Sequence, residues 1–147
     1  MPRNMETTGT VLGSVSDSQV NIPMYGSRPQ AGFASVGDEH IERVLDINDL
    51  VIKHPASTFF VRVEGDSMEG AGIYSGDVLV VDKAITPKDG HIVVGAVLGE
   101  LLVKRLRARS TTFELHSENE RYAPIVVSEQ DDCHIWGVVV GSVRVFV

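Results

Sequence analysis

Glu64-Gly65-Asp66-Ser67-Met68, in a glycine-flanked turn, and Leu102-Val103-Lys104-Arg105-Leu106, in an apolar run, set a serine and a lysine 37 residues apart. A serine hydroxyl attacks only when something takes its proton, and a lysine takes it only as the neutral amine. On a strand over 101 to 106 side chains alternate, so Leu102, Lys104 and Leu106 share one face while Val103 and Arg105 share the other. Apolar neighbours disfavour the ammonium form. Bringing such an amine from its reference value of about 10.4 to about 7 or 8, where a general base works, costs roughly 4 kcal/mol that the fold must supply. Taken singly, each residue also reads as ordinary: Lys104 laying its stem over apolar surface, Ser67 in a plain turn.

Glycines at 65, 70 and 72 let the backbone around Ser67 bend sharply and admit a second chain. The backbone N–H groups of Ser67 and Met68 are the candidate oxyanion hole of an acyl-transfer site. The same glycines do not make a phosphate loop, because no Gly-Lys-[Ser/Thr] follows. Asp66 reads as a solvated turn residue with a possible influence on Lys104, and Trp136 as core. His40, His54, His91, His116 and His134 are scattered without metal-ligand spacing, so no metal and no cofactor is expected. A Ser-His-Asp arrangement stays open at this level, since such triads assemble in space.

The elements that must position these groups read as mainly β, a compact curved fold with one short helix and a flexible N-terminal arm. Strands are expected at 60–63, 78–82, 91–98, 101–106, 112–116, 125–127 and 135–147, short, rich in β-branched residues and separated by turn residues. Gly99-Glu100 fits a tight hairpin that places Lys104 on its second strand. Asp46 caps the one helix and His54-Pro55 ends it. Residues 1–31 carry only Arg3, Glu6, Asp17 and Arg28 as charges and read as the arm, with 20–25 able to pair as an edge segment around Pro23. Residues 32–147 read as one domain.

The 147 residues suit a single domain with an appendage. A formal charge of −7 argues against a tight grip on DNA or on an anionic membrane. The single cysteine, Cys133, allows no intrachain disulfide and fits a cytoplasmic setting as a small buried residue. No leader and no membrane anchor are expected, which counts against a signal peptidase, another Ser-Lys enzyme.

Gly65-Asp66-Ser67-Met68, Ser75-Gly76-Asp77-Val78-Leu79-Val80-Val81-Asp82, Val103-Lys104-Arg105-Leu106 and Ile135-Trp136-Gly137-Val138-Val139, in this order, resemble the LexA-type Ser-Lys self-cleaving peptidases. The likeness covers roughly residues 29 to 147 and is greatest to the UmuD-like members, accessory proteins of an error-prone polymerase. It implies a LexA C-terminal-domain-like fold, Ser67 as nucleophile, Lys104 as general base, and self-cleavage at Ala31-Gly32, at the arm-body boundary. It further implies a homodimer, a RecA filament on single-stranded DNA that stimulates cleavage, and a UmuC-like Y-family translesion polymerase in the SOS response. Two other readings remain: a non-catalytic interaction module, and a LexA-like repressor fragment, which the helix-poor arm disfavours.

Overall fold

The computed structural model describes residues 5–15, 21–25, 41–128 and 131–147. The chain divides into two compact units, Met1–Val15 with His54–Val147, and Ser16–Lys53. In the larger unit, β1 (Thr8–Ser14), β4 (Thr58–Glu64), β5 (Val78–Asp82), β6 (Ile92–Val97), β7 (Glu100–Ala108), β8 (Phe113–His116), β9 (Ile125–Val127) and β10 (Cys133–Val143) form one antiparallel sheet. Its order is β1-β4-β5-β10-β6-β7-β8-β9, and β1 also reaches β7 through the pair Thr8↔Leu102. Six strands therefore close on themselves, with β8 and β9 extending past the seam. The smaller unit pairs β2 (Asn21–Tyr25) with β3 (Ile41–Asp46) and adds α1 (Ile47–Val51). Asp46 caps that helix by accepting from the Asn48 amide at 2.9 Å, as its sequence position predicts.

The β-branched runs become strands because their side chains fill two adjoining apolar clusters. Val61, Val63, Met68, Ile73, Leu79, Val81, Val94 and Val103 form the first, and Val93, Leu106, Leu115, Val127 and Val138 the second. Trp136 packs against the first cluster with Phe59, matching its expected role. The mainly β expectation therefore holds, with strand ends shifted by no more than two residues except at the end of β10, which stops at Val143.

Two expectations are corrected. Residues 8–14, read from their Gly, Ser and Thr content as part of a flexible arm, are a strand of the main sheet. Gly9 is there for close approach: a Cβ on it would stand 2.6 Å from Val61 Cγ1, so any other residue would force Val61 or β1 to shift. The hairpin before β7 also turns one residue earlier than expected. Val97 pairs with Glu100, so Leu98 and Gly99 are the loop residues, at φ 48° and 83°.

A two-residue turn with positive φ at both places favours Asn-Gly and disfavours a leucine at the first. Leu98 is 81% exposed, so its side chain gains little burial against that strain, and its amide bond to Asp132 C=O would be kept by any residue with an N–H. Leu98→Asn is expected to raise stability by about 0.5 to 1 kcal/mol, read as a higher denaturant midpoint at unchanged slope.

Candidate active site

Ser67 sits in the turn that leaves β4. Gly65 opens it at φ +109°, and Met68, fully buried in the first cluster, anchors it. Met68 C=O accepts from the amides of Ala71 at 3.0 Å and Ile73 at 3.2 Å, and Gly70 N–H donates to Glu118 C=O at 2.8 Å. A Cβ at Gly70 would lie 2.5 Å from that oxygen, which is why this position takes glycine. The Ser67 side chain is fully buried. Its Oγ accepts a hydrogen bond from the Thr7 amide at 2.8 Å. Among the described residues, the amides of Ser67 and Met68 donate to no partner.

Lys104 stands on β7 opposite Val93 of β6, 1% exposed between Leu102 and Leu106, which are also buried. Its Nζ donates to the Glu6 carboxylate and to Ser117 Oγ, the latter at 2.5 Å, and lies 5.7 Å from the centre of the Tyr122 ring. No hydrogen bond joins Ser67 to Lys104 among the described residues. They meet instead through two consecutive residues: Glu6 takes the lysine and Thr7 takes the serine.

Asp66 is half-buried and hydrogen-bonded rather than free in solvent, and among the described residues it makes no hydrogen bond or ion pair with Lys104. Its carboxylate accepts from the Tyr122 hydroxyl and from the Met5 amide at 3.2 Å, with the Arg121 guanidinium 3.9 Å away. The Tyr122 hydroxyl chiefly holds the Asp66 carboxyl below the usual carboxylate range. Burial first, and the Asp66 hydrogen bond second, push the Tyr122 phenol well above its ordinary value. Asn119 Nδ2 donates to Asp66 C=O at 3.0 Å. The Ser67 turn is therefore bolted from the side by the 119–122 segment. Ionised Asp66 is the turn's acceptor, not a partner of the amine.

Glu6, Thr7, Ser117, Asn119 and Tyr122 are the residues that sequence reasoning missed. Only Glu6 carried a signal, as one of four charges in the first 31 residues. Ala31 and Gly32 lie outside the described residues. Among those described, no group of three or more His, Cys, Asp or Glu is placed to hold a metal, and no helix is long and apolar enough to cross a membrane. Cys133 is half-buried on the second cluster, and burial, then Asp131 and Asp132, raise its thiol above its ordinary value.

A buried serine and a buried lysine facing one extended segment is an arrangement suited to peptide chemistry, and the comparison with protein families agrees, matching residues 23–140 to Peptidase S24-like. The chain belongs to the S24-like peptidase family. It is similar to Protein ImpA of Escherichia coli, 47% identical over 96 residues, which is 65% of this chain and 66% of ImpA. Protein MucA of Escherichia coli is 36% identical over 122 residues, 83% of this chain and 84% of MucA. The LexA repressor of Shewanella sediminis is 36% identical over 130 residues, 88% of this chain and 62% of the repressor. The LexA-type resemblance read from the motifs is thus borne out. The S24-like match takes in both Ser67 and Lys104 and begins after β1.

Proposed function

We propose that this S24-like chain is a serine peptidase that cuts itself between Ala31 and Gly32. Ser67 Oγ attacks the Ala31 carbonyl carbon while Lys104 Nζ takes the hydroxyl proton. The oxyanion forms against the Ser67 and Met68 amides. Collapse expels the Gly32 amine, which receives that proton from Lys104, and water then hydrolyses the Ala31 ester on Ser67. The observation that carries this reading is the single dipeptide, Glu6-Thr7, that reaches Lys104 with one residue and Ser67 with the next. Glu6 and Thr7 are consecutive, so the Ser67 hydroxyl and the Lys104 amine both face the same short segment, one through its backbone and the other through a side chain.

The likeness to ImpA, MucA and LexA supports the wider setting: a homodimer whose cleavage is stimulated by a RecA filament on single-stranded DNA and whose product, residues 32–147, serves a UmuC-like translesion polymerase in the SOS response. RecA acts in this reading by favouring the docked scissile segment. Raising that state from about 1% to 99% takes roughly 5.5 kcal/mol of differential binding. The test is time-resolved intact mass at neutral and alkaline pH, with and without RecA, single-stranded DNA and ATP. A fragment beginning at Gly32, formed faster at high pH and with RecA, is the expected result. A chain intact under every condition favours the non-catalytic module, a reading that draws on the absence of a direct Ser67–Lys104 bond. Sequence-selective DNA binding favours the repressor fragment.

A further inference from the structure

We propose that residues 5–8 are a built-in occupant of the Ser67–Lys104 cleft, a strand of this chain's own that the scissile segment must displace before the cut. The inference rests on the self-cleavage reading above. It starts from the way the sheet closes: β4 and β7 are bridged at Thr8, which pairs with Glu64 on one side and Leu102 on the other. Residues just before Thr8 continue along the same slot. Met5 C=O accepts from the Asp66 amide at 3.0 Å, and Thr7 C=O accepts from the Val103 amide at 2.9 Å. Thr7 is fully buried. The backbone groups that an extended substrate would use on both walls are thus already engaged.

The fit at the floor is equally close. A Cβ on Gly65 would come within 2.3 Å of Glu6 O and 2.8 Å of Thr7 Cα, so the segment lies directly on that glycine. The chemistry is disabled at the same time. Ser67 Oγ is the acceptor of the Thr7 N–H, and the Lys104 amine is turned to the Glu6 carboxylate and Ser117.

The segment occupies the site without being a substrate. A peptide group is planar, and an amide donates within that plane. Attack on a carbonyl carbon comes from above the plane. An oxygen held by the Thr7 N–H therefore lies in the wrong direction to attack the Glu6–Thr7 bond, and no near-attack geometry exists there.

The occupant is also displaceable. The Thr7 hydroxyl is buried with no partner among the described residues, an uncompensated desolvation that weakens the docked state. The Glu6 side chain is 35% exposed, so water competes for it. The S24-like match starts at residue 23, beyond this segment. The device is an addition to the matched region.

Two full-length variants test it. Glu6→Ala removes the carboxylate from Lys104, and Thr7→Pro removes the N–H held by Ser67. If the segment fills the cleft about nine-tenths of the time and each substitution releases it, each variant forms the Gly32 fragment about tenfold faster at alkaline pH. An unchanged or slower rate, in variants whose thermal transition matches the parent, overturns the proposal. So does a fragment beginning at Thr7, which would make the segment a substrate. A readout independent of cleavage is hydrogen exchange of the 99–106 peptide at neutral pH, which contains the Val103 amide. Faster exchange in both variants supports the occupant even if no chain is ever cut, in which case the self-cleavage reading alone fails; equal exchange in variants and parent sinks the occupant.

Discussion

Ser67→Ala is expected to keep the chain at full length through the whole period in which the parent converts to residues 32–147. Losing the nucleophile removes the covalent route altogether, and the rate falls by something on the order of 10^4 to 10^6-fold. The fold survives this change. Among the described residues the hydroxyl makes one hydrogen bond, as acceptor of the Thr7 amide, so its loss strands one buried donor and costs about 1 to 2 kcal/mol. A thermal transition a few degrees lower, with no fragment by intact mass, is the predicted pair of results. Cleavage at the parent's rate would remove Ser67 from the mechanism.

Lys104→Met separates catalysis from stability more sharply. Lys104 is 1% exposed, and burying an ammonium demands partners, here Glu6 and Ser117. Methionine has a similar length and no charge, and Glu6, at 35% exposure, can turn to water once released. Replacing a buried ion pair with apolar atoms is often neutral or stabilising. Stability should stay level or rise by up to about 2 kcal/mol, while fragment formation falls by roughly 10^2 to 10^4-fold, the contribution of a positioned general base. A variant that melts higher and does not cut identifies the lysine as a functional residue kept at a cost to the fold. A variant that cuts normally refutes its role as base.

Much of this architecture was legible because the informative signals are local. Val78–Asp82 and Ile125–Val127 fall on the runs of β-branched residues that announce them, and Asp46 caps its helix in the way its side chain and position suggest. The Ser67 turn and the buried place of Lys104 follow from neighbouring glycines and alternating leucines. What was not legible is what depends on distance along the chain. The contacts of Glu6 with Lys104, Tyr122 with Asp66 and Asn119 with Asp66 span 98, 56 and 53 residues, and no periodicity reports them. The strand over residues 8–14 was misread for a different reason. Its glycines look like freedom in isolation, whereas Gly9 serves close contact with Val61.

The membership of β1 in the main sheet changes what a break between Ala31 and Gly32 accomplishes. Its ladder with β4 runs from Thr8↔Glu64 to Ser14↔Phe59, and none of these hydrogen-bonded pairs is made by the residues at the cut. A nicked chain would therefore retain its first residues as a bound peptide. Scission and departure become separate events, and the second has its own dissociation rate, sensitive to dilution where the first is not.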